Sequence, residues 1–262
     1  MSERSILLTN DDGIESVGFR ALYDALSEFA DVTAVAPKTD QSAVGRKMSS
    51  DAIVAEHELG YALEGTPADC TVAGLEALCP DVDMVVSGIN KGANIGAYVL
   101  GRSGTVSAAV EAAFFDVPAI AVSMYIPNDG DVPWHELATD PRDYREATHA
   151  ASYLAKHAVG AGVFKQCDYL NVNAPMRSTG TPADMEVTHP SEMYDMTAEF
   201  ENGSVRLHDR IWERMRSGDI PDPDGTDRRA VIDGKVSVSP LTAPHTTQHH
   251  EALDALAETY IE

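Results

Sequence analysis

Two adjacent aspartates at the end of an apolar run are the residues of this chain best placed to do chemistry. Ile6-Leu7-Leu8-Thr9 leads straight into Asn10-Asp11-Asp12-Gly13. Neighbouring carboxylates repel one another, so an ordered site that holds both offers them a cation. Gly13 opens backbone angles closed to other residues, which lets the chain leave the strand with both carboxylates turned toward one point. Oxygen ligands of this kind suit a hard ion such as Mg²⁺ or Mn²⁺. Taken alone, the tetrapeptide is more simply a solvated turn, and the rest of the chain has to decide between the two.

The elements that position these residues alternate in type. Ser5 to Thr9 reads as a buried strand, and Phe19, Leu22, Tyr23, Leu26 and Phe29 then share one helical face. Val32 to Ala36 is a second strand, stopped by Pro37. Thr66-Pro67 opens a helix carrying Val72, Leu75 and Leu78. Asp83 to Ser87 is another apolar strand, ending in Gly88-Ile89-Asn90. A helix from Gly104 to Phe115 and a strand from Pro118 to Ser123 follow. This alternation implies a parallel sheet with right-handed crossovers. Beyond it, Asp143 to His157 reads as a helix and Tyr169 to Asn173 as a strand. From Thr181 to Leu241 the pattern becomes short β-like pieces, with Asp219 to Asp227 as an exposed loop. His249 to Ile261 forms a closing amphipathic helix. We expect one domain: an α/β core over 1–180, then a β-rich protrusion and terminal helix over 181–262.

Ligands of open parallel sheets bind at the carboxyl ends of the strands. Asp11 and Asp12 follow the first strand, Ser42 lies in the loop after the second, and Asn90 follows the strand at 83–87. If these strands are neighbours, two carboxylates, a hydroxyl and an amide carbonyl converge, with water completing an octahedral shell. The set contains neither histidine nor cysteine, which disfavours zinc. Taken singly, Ser42 is an ordinary loop hydroxyl and Asn90 a turn former. Further on, Ser103-Gly104-Thr105 opens a helix, with Ser103 as its N-cap and the amides of Gly104 and Thr105 free to hold phosphate. Taken alone, the same tripeptide is more simply a plain capped helix. Lys91 and Arg102 add local positive charge, or pair with the acidic surface.

Composition narrows the function class. The 262 residues carry 19 basic against 42 acidic side chains, a formal net charge of −23, and only six of the basic residues are lysines. Such a surface repels nucleic acid and argues against duplex binding. Heavy, dispersed acidity with scarce lysine predicts a protein suited to concentrated salt, where self-repulsion is screened. No leader pattern and no membrane-length apolar run occur, so a cytoplasmic protein away from the membrane is expected. Cys70, Cys79 and Cys167 have no metal-ligand spacing and read as small buried residues in a reducing compartment.

The motifs taken in order resemble the SurE (survival protein E) family of metal-dependent nucleotidases. They run from Leu7-Leu8-Thr9-Asn10-Asp11-Asp12-Gly13 through Gln41-Ser42, Gly65-Thr66-Pro67-Ala68-Asp69-Cys70 and Val85-Val86-Ser87-Gly88-Ile89-Asn90. Gly92, Asn94, Gly96, Ser103-Gly104-Thr105-Val106, Leu170-Asn171-Val172-Asn173 and Gly234 to Leu241 continue the series. The resemblance implies a Rossmann-like three-layer sandwich with a mostly parallel sheet. It also implies hydrolysis of nucleoside 5′- and 3′-monophosphates to nucleoside and phosphate, with polyphosphate trimming in some members. By the same match one divalent ion per subunit falls to Asp11, Asp12, Ser42 and Asn90. Asn94 and Ser103, with the Gly104 and Thr105 amides, fall where the family holds phosphate, and Asp11, Asp12, Asn94 and Ser103 form the catalytic set. Homodimers or homotetramers that exchange C-terminal elements are expected. Two departures stand out: Ala97 to Arg102 replaces an acidic and aromatic or histidine segment and is one residue longer, and Lys235 stands where an aromatic is common.

Other readings fit less well. A dinucleotide-binding oxidoreductase needs Gly-x-Gly-x-x-Gly after the first strand, and a haloacid-dehalogenase-type phosphatase separates its two carboxylates by one residue. A non-catalytic nucleotide or polyphosphate sensor on the same fold differs from an enzyme only in releasing no phosphate. His57 reads as a surface histidine, and His249 and His250 as solvated helix-start residues rather than metal ligands.

Overall fold

The computed structural model describes residues 4–128, 130, 132–243 and 251–258. Its centre is a nine-stranded sheet built from β1 (Arg4–Thr9), β2 (Ala30–Pro37), β3 (Ile53–His57), β4 (Gly60–Glu64), β5 (Met84–Lys91), β6 (Ala119–Tyr125), β7 (Tyr169–Pro175), β8 (Met185–Val187) and β11 (Val236–Leu241). The order is β3-β4-β2-β1-β5-β6-β7-β11-β8. Six central strands, β4-β2-β1-β5-β6-β7, are parallel; β3 pairs antiparallel with β4, and β11 with β7. Numbered in chain order, those six run 3-2-1-4-5-6, the doubly wound order of dinucleotide-binding folds. The order reverses between β1 and β5, and the crevice at such a switch point is where these sheets bind ligands.

Side chains alternate across β1 with the two-residue period of a strand. Ile6 and Leu8 enter one core with Phe19, Leu22 and Leu26 of α1 (Val17–Ser27) and Ala147, Ala151 and Leu154 of α5 (Arg145–His157). Leu7 points the other way, into a second core with Val106, Ala109 and Ala112 of α4 (Gly104–Phe114) and Cys70 of α2 (Pro67–Ala73). Small residues make up most of the buried faces of α4 and α5. The result is helix, sheet, helix: the expected three layers.

The second half differs from its sequence reading in three ways. First, β11 and β8 extend the main sheet, and only β9 (Met196–Glu201) and β10 (Ser204–Asp209) form a separate antiparallel pair. Second, α6 (Ile211–Ser217) and α7 (Asp227–Ile232) are helices within the stretch read as β-like. Ile211 and Met215 of α6 are buried with Ala93, Ile95 and Val231 in a third, smaller core. Third, Asp219 to Asp227 is not simply exposed, because Ile220, Asp222 and Asp227 are buried. Asp222 is drawn in by the guanidinium of Arg228, itself 0% exposed. The four-residue α3 (Ala97–Leu100) precedes α4, and α8 (Glu251–Glu258) is the described part of the closing helix. His249 and His250 lie outside the described residues.

Candidate metal and phosphate site

The Asn10 to Gly13 turn is built by its own side chains. Asn10, fully buried, donates through Nδ2 to the carbonyl of Gly13 at 2.8 Å and to Ser16 Oγ at 3.0 Å. Gly13 takes a φ of +93°, open to glycine and strained for other residues. The loop after β2 is tied to this turn, since the Gln41 amide donates to the Asp11 carbonyl at 2.7 Å.

A cleft of about 220 Å³ opens where β1 and β5 end. Asp11, Ser42, Asn90, Asn94 and Ser103 all line it, together with Lys91 and Arg102. The structure thus brings together five of the residues expected from sequence, from four separate segments. Asp12 stands beside them, its Oδ2 accepting from the Lys91 amide at 2.7 Å. The strand carrying Asn90 runs on to Lys91, so Asn90 is part of β5 rather than of a following loop. The pairing of β5 with β6 shifts register between Ser87 and Asn90, which re-aims the strand end.

Each oxygen donor is held by the part of the group a cation does not need. Asn90 donates through Nδ2 to the Gly92 carbonyl at 2.6 Å, leaving its amide oxygen for the cleft. Ser42 gives its proton to Asp40 Oδ1 at 2.6 Å and keeps lone pairs to offer. Asp40 also accepts from the Ser42 amide at 2.7 Å. Partners that fix ligands in this way are as much a part of such a site as the ligands. Among the described residues no three His, Cys, Asp or Glu side chains form a metal cluster. The donor set is therefore two carboxylates, a hydroxyl and an amide, all hard oxygens.

The electrostatics fit a cation. Asp11 is 3% exposed, and burial raises its pKa against the opposing hydrogen bonds from Thr105. Burial, then the charge of Asp11, pushes Asp12 up to about 7. Two carboxylates so strained by desolvation and by each other are relieved by a divalent ion between them. Lys91 and Arg102 make no salt bridge among the described residues. They lie instead over aromatic rings, Lys91 at 5.7 Å from Trp134 and Arg102 at 5.3 Å from Tyr98. Both ammonium and guanidinium remain available to an anion in the cleft.

Ser103 is the N-cap of α4, its hydroxyl accepting from the Val106 amide at 3.0 Å. Thr105 and Gly104 differ from the sequence reading. Thr105 is 0% exposed and gives its hydroxyl to Asp11 Oδ1 at 2.5 Å, and its amide also bonds that carboxylate. Neither residue lines the cleft. A Cβ on Gly104 would lie 2.8 Å from that of Asp11, so only glycine lets the helix start close on the aspartate. The positive end of α4 thus steadies Asp11.

Sequence reasoning missed the support of Asn94. Its amide donates to Asn173 Oδ1 at 2.8 Å, its Nδ2 to Ser123 Oγ at 2.8 Å, and its carbonyl accepts from Asn171 Nδ2 at 2.8 Å. Three polar residues on β6 and β7 thereby fix one cleft residue. Asn-x-Asn inside an apolar strand was the available signal. Asp227 was missed as well; it accepts from the Gly96 amide at 2.7 Å and the Ser191 amide at 2.9 Å. His57 lines no part of the cleft and bonds Glu15 at 2.8 Å.

A doubly wound sheet whose switch point gathers oxygen donors, amides and cationic side chains in one cleft defines an α/β protein with a polar site at the carboxyl ends of its strands. The chain belongs to the Survival protein SurE family, whose model matches residues 6–196. It is 68% identical to the 5′-nucleotidase SurE of Haloquadratum walsbyi, over 100% of this chain and 99% of that protein. It is 69% identical to the 5′-nucleotidase SurE of Haloarcula marismortui, over 99% of this chain and 96% of the relative. Both organisms are halophilic archaea, in keeping with the acidic composition. Among solved structures, the SurE protein from Aquifex aeolicus superposes with a TM-score of 0.74 at 26% identity, covering 98% of this chain and 99% of that one.

Proposed function

We propose that this chain is a divalent-metal-dependent phosphomonoesterase that hydrolyses nucleoside 5′- and 3′-monophosphates to nucleoside and inorganic phosphate, with short polyphosphate as a further substrate. The observation that carries the reading is the single cleft shared by Asp11, Ser42, Asn90, Asn94 and Ser103. Its relatives' name, 5′-nucleotidase, supports the substrate class.

In this reading Asp11, Asp12, Ser42 and Asn90 hold one Mg²⁺ or Mn²⁺ ion. When bound, that ion supplies Lewis-acid polarisation of the phosphoryl oxygens and a nearby water. Asn94 and Ser103 donate to the non-bridging oxygens, while Gly104 and Thr105 act through the helix start and their grip on Asp11. Lys91 and Arg102 neutralise charge that the acidic surface otherwise repels. In the net reaction a water oxygen bonds to phosphorus, the P–O bond to the nucleoside breaks, and one proton of that water passes to the departing nucleoside oxygen, which leaves as a hydroxyl. Positioning and electrostatics suffice, because phosphoryl transfer asks little covalent help of a protein.

Phosphate release from 5′-AMP, 3′-AMP, 5′-GMP and tripolyphosphate in molar KCl, with Mg²⁺, Mn²⁺ or EDTA, tests this. Release should require the metal, and Asp11→Asn should lower it about 10²–10³-fold with unchanged circular dichroism. A near-normal rate for that variant at saturating Mg²⁺, or no release by the wild type, overturns the assignment.

A homodimer or homotetramer is supported by the β9–β10 hairpin, where Phe200 is 77% and Leu207 69% exposed; light scattering reads the subunit number. A cytoplasmic site of action is supported by three free cysteines and by the lack, among the described residues, of a helix able to cross a membrane. Growth of a disulfide in the protein as isolated would argue otherwise.

A further inference from the structure

A second cavity adjoins the first. It has a volume of about 380 Å³, and both tryptophans of the chain line it, Trp134 from the segment after β6 and Trp212 from α6. The two cavities share Asn90. Gly92 marks the junction: a methyl there would lie 3.6 Å from the Trp134 ring and 3.8 Å from Asn90 Nδ2. Lys91, over the same ring, sits on the strand end whose amide binds Asp12. The aromatic wall and the expected cation ligands are thus neighbours on one stretch of backbone.

A large aromatic left 47% exposed, as Trp134 is, contributes little to a core. Set in a concavity it offers a flat π-face, and that is what a planar heterocycle needs. Trp212 is held from behind by the third core, into which its neighbours Ile211 and Met215 are buried, so its wall is already formed. Asn128 and Arg216 border the same cavity and supply a donor–acceptor amide and a cation for the edge of a ring. On a surface of net charge −23, a largely apolar hollow walled by two tryptophans beside a phosphate cleft has few suitable occupants.

We propose that the Trp134–Trp212 cavity is the nucleoside subsite, in which the base stacks on Trp134 while its phosphate lies in the cleft beyond Gly92. This rests on the phosphomonoesterase reading only for the direction in which the phosphate lies. Stacking on a tryptophan face is open to every base, since all have a π-face. The subsite therefore selects nucleotides over simple phosphate esters and discriminates weakly among bases. Any preference falls to Asn128 and Arg216 at the ring edge.

The two tryptophans are also the probe, because the whole indole emission of the protein comes from this cavity. Adenosine, 5′-AMP and ribose 5-phosphate are titrated into the wild-type protein in molar KCl with EDTA, with N-acetyltryptophanamide as the inner-filter control. Adenosine and 5′-AMP should quench saturably, and ribose 5-phosphate should not. With metal restored, Trp134→Ala should raise KM for 5′-AMP about tenfold, with the loss absent for ribose 5-phosphate. Trp134→Phe should recover most of that affinity and guards against a folding defect. No saturable quench by adenosine, or a KM for 5′-AMP indifferent to both Trp134→Ala and Trp212→Ala, overturns the proposal. Equal losses on 5′-AMP and ribose 5-phosphate do the same. Adenosine quenching without phosphate release from any nucleotide removes the hydrolase reading and leaves the base site standing. Normal turnover of 5′-AMP that ignores both tryptophans removes the base site alone.

Discussion

Asp12, like Asp11, carries a charge that the buried site disfavours. Its carboxyl is raised from the usual range to about 7 by burial and by Asp11. A raised acid pKa means that the folded state binds a proton that the unfolded state releases near pH 4. Its contribution to stability is thus intact below about pH 4 and lost as pH rises toward 7. Asp12→Asn, neutral throughout, should match the wild type at pH 4 in EDTA and exceed it by on the order of 2 kcal/mol at pH 8, after solvent screening. Urea unfolding across that range checks this, and saturating Mg²⁺ should reverse the order at pH 8. Parallel pH profiles for the two proteins would refute it. The acids themselves stood out in the sequence only with the ordered motifs around them, because the pair taken alone reads as a solvated turn. The support of Asp11 did not: Thr105 reaches it from 94 residues away, and no local spacing encodes that contact.

At the scale of elements, the cleft depends on a buried clamp at the start of α7. Arg228 donates to Asp222 Oδ1 at 2.7 Å and to Ser191 Oγ at 2.9 Å, while Asp227 fixes the Gly96 and Ser191 amides. The Gly96 amide is therefore held by Asp227, and the adjoining Arg228–Asp222 pair, with no exposed side-chain surface, fixes Ser191 beside it. Removing one member strands the other in a dry interior. Asp222→Ala should cost about 3–5 kcal/mol, whereas Glu58→Ala, which breaks an exposed pair with Arg20, should cost at most about 1 kcal/mol. Denaturant midpoints in molar KCl separate the two, and similar losses would mean that the clamp is not what holds Ser191 and Gly96. This clamp shows where sequence reading fails. Along β1, β2, β5, β6 and β7 the apolar runs are regular, since these strands are largely buried, whereas the exposed β3 and its partner β4 carry no such run and were not read from the sequence. Between Thr181 and Ile232 a polar run hides a buried Asp–Arg pair, and burial of charge cannot be read from composition. Only the partner, brought close by the fold, makes it stable.

For the molecule as a whole, the acidic balance sets the conditions under which every other contact acts. A net charge of −23 on 262 residues is a self-repulsion that compaction increases. At about 0.1 M salt the screening length is about 10 Å, so exposed carboxylates on neighbouring elements feel one another; at about 1 M it is about 3 Å and they do not. The few basic side chains cannot compensate, because many are already committed to local pairs such as Arg20–Glu58, Lys38–Glu64 and Lys235–Glu186. Lowering KCl from molar to about 0.1 M should therefore reduce Tm steeply, and with it metal-dependent turnover, since the Asp11–Asp12 turn is steadied by the same packed sheet. Salt also strengthens apolar burial, so the two causes need separating. Replacing the exposed Glu56, Glu76 and Asp81 by their amides lowers repulsion and leaves the core alone. If repulsion is the cause, that variant should show a higher Tm at low salt and a shallower rise with KCl. A Tm that is flat between about 0.1 and 1 M KCl, or a variant that tracks the wild type at every concentration, would assign the acidity to solubility rather than to stability.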